Sequence, residues 1–500
     1  MPSEFFNIRY AKTKIPIIFP TVLSNEAMTS TEMEEIAGGR YKKSQLIVFY
    51  NGYVLGYWHH EDYEQARRKI LQIQLQNNQL PSFINKVNEI SAEISKLLIE
   101  FNKTFSEATD KRATAWKTYD GACNLYRSLC TYAYVANLLD RILTETVKED
   151  LKQYIVDENK LQDDLLVLSR APKANYMYQH DLELIDLLEK QSTAEEMENH
   201  INKWCGLFGG GSNPELEELK KEVAGRIVLF KGMTETQRIK ERENISQNFL
   251  QADENIKKCE TELNLTAEIK DKFKLFRDAI VLKEARKMAL VKFSVEANFL
   301  FQAISDLTGI TIDKLRCMLP SETESLLTDK DCDISNEIDD NVIYVINGGI
   351  VVKYAGQDFF GKIKEYEIDE EVLKLKNELS GPKETIKSIA PDLKKIYKGM
   401  VSCRGQITAP VKVVMTIADF GKIQDGDILV TPLTTPEYVK IFHKVRGMIT
   451  FDGAGLTSHP ATLSREYKIP AILGVKELDG ILKDGDMVEL NADNNEIKIL

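Results

Sequence analysis

The sequence predicts a multidomain α+β protein in which a large, mainly helical domain precedes a C-terminal α/β domain. Three observations support this fold class. The 500 residues exceed what one hydrophobic core usually organises. Between residues 62 and 335, apolar residues recur at three-and-four spacing with charges between them. The last hundred residues instead alternate short Val- and Ile-rich runs with helical segments, which is an α/β pattern.

A small β-containing segment is predicted over residues 1–61. Runs rich in Ile, Val, Phe and Tyr cover residues 14–22 and 45–57. The second run is interrupted by Asn51-Gly52, a dipeptide typical of a two-residue hairpin turn. We therefore expect β structure in both runs and a hairpin at Asn51-Gly52.

The helical domain is predicted over residues 62–335. Its longest amphipathic stretches are 84–105, 122–143, 215–230 and 275–307. Ser192-Thr193-Ala194-Glu195 has the pattern of a capping box, and Gly309 is placed to end a helix.

A short β segment and a linker are predicted over residues 336–398. Residues 342–354 have β character around an Asn-Gly-Gly turn, and residues 365–398 form a charged connector. Gly381 and Pro391 within the connector would set where it bends, so we expect a hinge there.

The α/β domain is predicted over residues 399–500. Its expected strands are 411–415, 428–431, 447–450, 471–473 and 487–490.

Charge and composition exclude several classes of protein. The 65 Lys and Arg against 77 Asp and Glu give a net charge of −12, the wrong sign for a nucleic-acid partner or an anionic membrane surface. Apolar runs are far shorter than the roughly 20 residues that cross a bilayer, and the N-terminus lacks a signal-peptide pattern. The seven Cys contain no CxxC pair and no nearby His at zinc spacing, so we expect reduced cysteines, a cytoplasmic location and no metal site.

One histidine stands in a chemically informative position. His459 follows Thr457 and Ser458, which are good N-cap residues, and precedes Pro460, which suits a first helical turn. A helix N-terminus favours a phosphate and disfavours an imidazolium, so the ring should be neutral and nucleophilic. Gly455 would let the backbone approach an incoming group closely. On the spacing alone, an ordinary capped surface helix that includes a histidine is the preferred interpretation.

The run from Gly453 to Gly474, Gly-Ala-Gly-Leu-Thr-Ser-His-Pro-Ala-Thr-Leu-Ser-Arg-Glu-Tyr-Lys-Ile-Pro-Ala-Ile-Leu-Gly, closely resembles a known signature. It is that of the swivelling phosphohistidine domain of phosphoenolpyruvate-utilising enzymes. This family includes phosphoenolpyruvate synthase, pyruvate phosphate dikinase and rifampicin phosphotransferase. The resemblance covers about residues 399–500 and is weaker in residues 319–327 and 342–360.

The resemblance implies a role for each residue that matches the motif. His459 would carry a phosphoryl group on a ring nitrogen, and the domain would swing between a nucleotide site and an acceptor site. Gly455, Thr457 and Ser458 would line the phosphate. Arg465 lies six residues after the histidine, roughly 120° away on a regular helix, and is interpreted as a structural ion-pair residue.

The resemblance also implies an acceptor site in the helical domain. Three charged residues there are candidates: Arg277, Glu284 and Arg286. Charged helix faces are more often simply solvated, so a solvated face is the preferred interpretation of these three residues.

The departures from the family define the expected partners. We expect this chain to hold neither a glycine-rich ATP-grasp region nor the barrel that binds phosphoenolpyruvate or pyruvate. We therefore expect this chain to bind no cofactor itself, and to receive its phosphoryl group from a separate ATP-grasp subunit that supplies ATP and Mg²⁺. A small molecule would be the acceptor. Two alternatives stay open: a phosphoenolpyruvate-dependent phosphocarrier, and a non-catalytic binding or regulatory protein that retains the swivelling fold.

Two other histidine sites are weaker candidates. His59-His60 beside two acidic residues could suggest a metal, but neighbouring side chains point apart, so an exposed strand end is preferred. His443 lies in an amphipathic segment and is interpreted as a surface or packing residue.

Overall fold

The computed structural model describes residues 5–10, 18–42, 45–50, 53–171, 176–204, 216–316, 318–329, 342–347, 350–366, 396–415, 417–434, 438–451 and 458–500. The chain divides into two compact units. Unit 1 comprises Met1–Val147, Ala171–Glu254 and Asn264–Leu375, and unit 2 comprises Lys148–Arg170, Asn255–Leu263 and Lys376–Leu500. The predicted multidomain α+β class is confirmed.

Unit 1 contains a five-stranded antiparallel sheet in the order β1-β3-β2-β4-β5. Its strands are Phe5–Tyr10 (β1), Gln45–Tyr50 (β2), Tyr53–His59 (β3), Val342–Asn347 (β4) and Ile350–Ala355 (β5). The predicted hairpin is confirmed, because Tyr50 pairs with Tyr53. β2 also pairs with β4, with Gln45 opposite Ile346. The predicted segments 1–61 and 336–398 therefore contribute to one sheet, a long-range pairing that neither run indicates by itself.

Helices occupy most of the chain between β1 and β4. They are Ile18–Thr29 (α1), Thr31–Ala37 (α2), His60–Gln76 (α3), Leu80–Thr104 (α4), Lys111–Ala133 (α5), Val135–Lys152 (α6), Glu158–Leu168 (α7), Tyr176–Glu189 (α8), Ala194–Trp204 (α9), Leu216–Gly232 (α10), Glu235–Glu262 (α11), Ala267–Glu296 (α12), Asn298–Thr308 (α13), Ile312–Leu315 (α14) and Pro320–Thr328 (α15); Gly356–Glu365 (α16) follows β5. Of the four amphipathic stretches predicted as helical, 84–105 lies in α4 except for its last residue, and 215–230 lies in α10 from Leu216 onward, residue 215 being outside the described residues. The stretches 122–143 and 275–307 each span two helices with one non-helical residue between them.

The β prediction for residues 14–22 is wrong where the structure describes it. Residues from Ile18 onward belong to α1, whereas residues 11–17 lie outside the described residues. Leu23, Ala27 and Met28 are buried in the helical core, and α1 packs on α5 and β4. Pro20 lies in the first turn, where a missing N–H breaks no helical bond. Short apolar runs do not distinguish a buried strand from a buried helix.

The helical core of unit 1 lies mainly between α4, α5 and α12. Its large buried side chains include Phe83, Leu98, Tyr126, Phe276 and Phe293. The apolar stripe of each helix faces the other two, which is why the three-and-four spacing is visible in the sequence.

Two predicted helix ends can be compared with the structure. Gly309 ends α13 with φ 74°, as expected of a left-handed cap. The capping box lies one residue further on than predicted. The Thr193 hydroxyl accepts from the Glu196 amide at 3.2 Å, and the Glu196 carboxylate accepts from the Thr193 amide at 2.7 Å.

Unit 2 contains a seven-stranded sheet in the order β12-β11-β7-β8-β9-β10-β6. The strands are Met400–Cys403 (β6), Gln406–Val413 (β7), Ile428–Thr431 (β8), Gly447–Thr450 (β9), Ala471–Leu473 (β10), Met487–Asn491 (β11) and Glu496–Ile499 (β12). β7, β8, β9 and β10 run parallel, and the outer pairings are antiparallel. Two helices of this region are Val439–Phe442 (α17) and His459–Tyr467 (α18).

The sheet of unit 2 separates two apolar cores. Along β8, Ile428 and Val430 enter one core and Leu429 enters the other. Ala461 and Leu463 of α18 belong to the same core as Leu429. Burial on both faces explains why the central strands read as continuous apolar runs.

Helix α7 and the neighbouring ends of α6 and α11 belong to unit 2, although the sequence places them inside the helical region 62–335. The predicted connector falls almost wholly on residues 367–395, which lie outside the described residues. Within the part of the chain that the structure describes, no helix is both long and apolar enough to cross a bilayer.

Candidate functional site

Helix α18 begins at His459, beyond the carboxyl end of the parallel strand β9. β9 lies between β8 and β10, and its last residue, Thr450, is fully buried. In open α/β sheets, ligands bind outside the carboxyl ends of parallel strands. The predicted position of His459 at a helix start is therefore matched by the backbone, and this helix start lies at the edge of the sheet where ligands are expected.

Ser458 is the N-cap residue of α18, with extended backbone angles of φ −68° and ψ 151°. Its side chain makes no capping hydrogen bond to the helix. The hydroxyl oxygen is buried, and among the described residues it has no hydrogen-bond partner. A buried hydroxyl without a partner is unfavourable unless a ligand or a water molecule forms a hydrogen bond with it. Ser458 thus holds an unused hydrogen-bonding group immediately before His459.

The electrostatics of this helix end suit an anion. Pro460 occupies the first turn, and no acidic residue lies there. The remaining free backbone N–H groups and the positive end of the helix dipole are therefore not neutralised by a side-chain carboxylate of that turn. A phosphoryl group would be stabilised at this position.

A buried hydrogen bond fixes α18 on the sheet. The hydroxyls of Ser402 in β6 and Ser464 in α18 lie 2.7 Å apart, and both residues are fully buried. The Ser464 hydroxyl also lies 3.1 Å from the carbonyl oxygen of Ala461, to which it donates. Lys468 then ends the helix in a left-handed conformation, with φ 52°. The helix is therefore attached to β6 at Ser464, five residues after His459.

The other predicted site residues of this motif are only partly described. Arg465 lies on α18 near Cys403: burial raises the pKa of the Cys403 thiol, and the positive charge of Arg465 opposes that shift. This places Arg465 beside β6, in keeping with the predicted structural role, which stays a prediction. Gly455, Thr457 and the side chain of His459 lie outside the described residues.

The three candidate acceptor residues lie on α12, and the structure does not bring them to one place. The Arg286 guanidinium stacks over the Tyr134 ring, with 4.9 Å from Cζ to the ring centroid. Glu284 lies near Tyr176: burial raises the pKa of Tyr176 to about 12, and the negative charge of Glu284 adds to the shift. Arg277 is half-buried and seven residues before Glu284, so these two share a helix face while Arg286 does not.

A buried polar cluster between α8, α9 and α10 was not predicted from the sequence. His180 is fully buried and lies 2.8 Å from an oxygen of Asp181, whose carboxylate also accepts two hydrogen bonds from Arg226. The ring of His200 lies 4.8 Å from that of His180, and its Nδ1 is 3.1 Å from Glu183. Burial, the largest effect, lowers the pKa of His180. Its residues come from three helices, and His200 and Arg226 lie 17 and 45 residues from their acidic partners, so no local pattern signals the cluster.

The remaining histidine candidates have other roles. His59 ends β3 and is buried, whereas the prediction was an exposed strand end; His60 begins α3 and is exposed. His443 follows α17 and is exposed. Among the described residues, no group of three or more His, Cys, Asp or Glu side chains is arranged to hold a metal ion.

Comparison with known proteins assigns the region around α18. Residues 423–495 match the family described as PEP-utilising enzyme, mobile domain. The chain is 31% identical over 128 residues to an uncharacterised phosphotransferase, YvkC, of Bacillus subtilis, which is 25% of this chain and 15% of that protein. It is 36% identical over 98 residues to a probable phosphoenolpyruvate synthase of Archaeoglobus fulgidus (20% and 13%) and 32% identical over 102 residues to rifampicin phosphotransferase of Bacillus cereus (20% and 12%). The chain covers at most 15% of the length of these three relatives.

Proposed function

We propose that the protein is a phosphotransferase component whose His459 carries a phosphoryl group, because residues 423–495 match the mobile-domain family of phosphoenolpyruvate-utilising enzymes. In the proposed reaction, a ring nitrogen of His459 forms a bond to phosphorus as the donor's P–O bond breaks. The N–P bond then breaks as an acceptor oxygen takes the phosphoryl group. The carrier is regenerated with its ring neutral.

One observation carries this proposal. Ser458 caps α18 without using its hydroxyl, which is buried directly before His459. A phosphoryl oxygen beside His459 could accept a hydrogen bond from this hydroxyl and from free N–H groups of the first turn. Hydrogen bonds to a charged group stabilise by about 1.5–3 kcal/mol each. Because these donors are held in place before the reaction, they would stabilise the transferred group without rearrangement.

The donor is proposed to be ATP with Mg²⁺, bound by a separate ATP-grasp subunit. The acceptor is proposed to be a small molecule bound by the helical part of the chain. Of the three candidates on α12, Arg277 and Glu284 share a face and are the ones proposed to meet it, since the stacking of Arg286 on Tyr134 indicates a packing role. The relatives that transfer phosphoryl groups support the reaction class and leave these finer assignments to experiment.

The test is labelling of the full chain with ³²P. The chain is incubated with labelled ATP and a cell extract that supplies the nucleotide-binding subunit, and separately with labelled phosphoenolpyruvate. We expect label from ATP that is stable in base and labile in acid, as phosphohistidine is. His459→Ala should abolish it. His443→Ala removes an exposed histidine from the same domain and should leave labelling unchanged.

The other outcomes separate the alternatives. Label from phosphoenolpyruvate but not from ATP would replace the proposed donor by phosphoenolpyruvate. An unlabelled wild-type chain under both conditions would favour a non-catalytic binding protein. Equal labelling of wild type and His459→Ala would place the phosphoryl group on another residue and overturn the proposal.

A further inference from the structure

Arg404 links the C-terminal α/β region, residues 396–500 and here called the mobile domain, to helix α7. Arg404 lies in the turn between β6 and β7, and its Nε donates to a carboxylate oxygen of Asp163 on α7. The guanidinium is fixed from its other side, because Nη1 donates to the carbonyl oxygen of Asp493 at 2.7 Å. The Asp493 carboxylate in turn accepts from the Gly405 amide at 2.9 Å. Arg404 is therefore oriented by its own domain toward α7.

The surroundings of this pair are acidic. The pKa of Arg404 is raised, first by its hydrogen bond to Asp163, and the charges of Asp493 and Asp157 add to the effect. Asp157 is the N-cap of α7, where its carboxylate accepts from the Lys160 amide at 2.7 Å. Three carboxylates, those of Asp157, Asp163 and Asp493, therefore act on the Arg404 guanidinium.

The contact is polar and open to water. The two apolar cores of the mobile domain consist entirely of residues between 397 and 499, so neither core includes a residue of α7. The side chains of Arg404 and Asp163 are 32% and 41% exposed. Ion pairs exposed to this degree are weak and are screened by salt. The domain has a complete core of its own, and a weak ion pair can open without disturbing it.

The contact adjoins the strand that holds the candidate phosphohistidine helix. Ser402, two residues before Arg404, forms the buried hydrogen bond to Ser464 of α18. Cys403, one residue before it, lies near Arg465 of the same helix. Movement of α18 and release of Arg404 therefore involve the same short strand, β6.

We propose that Arg404 and Asp163 form a reversible docking contact between the mobile domain and helix α7. The contact would hold the domain in one of its resting positions and open when the domain moves. A role of this contact in phosphoryl transfer rests on the proposed function of His459. The docking contact itself does not depend on that function. A permanent structural ion pair, or a contact that contributes nothing in solution, is the contrary possibility.

The test is a double-mutant cycle in the full chain, read by amide hydrogen exchange in peptides covering α7 and the β6–β7 turn. Asp163→Asn and Arg404→Gln remove one partner each. Each should raise exchange in both peptides by about two- to fivefold, the size expected of an exposed pair. The double variant should exchange no faster than the faster single variant, because both changes break one contact.

A matched control lies one residue away. Asp164 is on the same helix but pairs with Lys160 at 2.8 Å, so Asp164→Asn should leave the β6–β7 peptide unchanged. Wild type in 0.5 M NaCl should resemble Asp163→Asn. Unchanged exchange in Asp163→Asn, or effects that multiply in the double variant, would overturn the docking contact. Exchange that does not change in 0.5 M NaCl would show that the pair does not open, and the reversible contact would be overturned.

The two proposals can fail separately. Exchange reports docking whether or not His459 accepts phosphate. Coupled exchange effects with no ³²P labelling would leave the docking contact in place and remove the carrier role. Labelling of His459 without coupled exchange effects would do the reverse.

Discussion

Gly447 allows a direct test of the packing that leads into the candidate site. It is the first residue of β9, the strand that precedes the motif segment and α18. A Cβ atom at this position would lie 2.9 Å from Ile407 Cγ2, 3.1 Å from Ile428 Cγ1 and 3.1 Å from Leu490 Cδ2. These side chains come from three different strands, so moving the added Cβ atom away from one of them brings it closer to another. Overpacking of this kind costs about 1–3 kcal/mol.

The assay is native-state amide exchange of peptides from β8 and β9 in Gly447→Ala. A loss of about 1–3 kcal/mol corresponds to exchange that is roughly 5- to 150-fold faster if the strands exchange through opening of the domain. Gly421→Ala is the matched control, because a Cβ there would meet no atom within 4 Å. We expect it to leave exchange unchanged or slightly slower. If Gly447→Ala exchanged at the same rate as wild type, the three neighbouring side chains would have to move apart at no cost, and the packing argument would fail.

Three further predictions concern single side chains. Asp181→Asn should destabilise helices α8 to α10 by about 3 kcal/mol, because it breaks a buried pair with Arg226. The measurement is urea unfolding followed by the fluorescence of Trp204, with the other two tryptophans replaced by phenylalanine. A loss below about 1 kcal/mol would contradict the prediction. Burial lowers the pKa of His180 from 6.5, so the neutral ring stabilises the fold above pH 6.5, and this stabilisation is lost as the pH falls through the lowered pKa. The measurement is the free energy of unfolding of α8 to α10 between pH 7.5 and 5. A constant value would refute the lowered pKa. Ser458→Ala removes no capping hydrogen bond, so the stability of α18 should change by less than about 0.5 kcal/mol. The rate of ³²P labelling should fall about tenfold or more, because the phosphoryl group loses a hydrogen bond. Equal labelling rates in wild type and variant would show that this hydroxyl does not contact the phosphoryl group.

The strands that the sequence predicted and those it missed differ in position. β8, β9 and β10 have the predicted bounds and lie inside the sheet of unit 2, where burial on both faces selects an apolar run. β6 and β12 were not predicted, and they are the two edges of that sheet. β1, also missed, is an edge of the other sheet. β6 and β12 each contain two half-buried residues among four, whereas all residues of β8, β9 and β10 are buried, so the two edges carry less of the apolar signal on which the predictions depended.

The start of the site helix was predictable, whereas its supports were not. Capping residues and Pro460 are local signals, and they located the first residue of α18. The bond between Ser402 and Ser464 joins residues 62 apart, and the pair of Arg404 with Asp163 joins residues 241 apart. Contacts of this kind depend on the tertiary fold. The grouping of α7 with the C-terminal region has the same origin, since sequence order places that helix among its neighbours in the chain.

The pairing of β2 with β4 has a consequence for synthesis of the protein. β2 ends at Tyr50, but its partner begins at Val342, so nearly 300 residues are translated before the two strands can meet. At a translation rate of about 5–20 residues per second, β2 stays unpaired on the side of β4 for roughly 15–60 seconds. During this time the hairpin of β2 and β3 exposes unpaired backbone groups, a feature that attracts other chains. Newly made chains should therefore depend on chaperones most strongly before β4 leaves the ribosome.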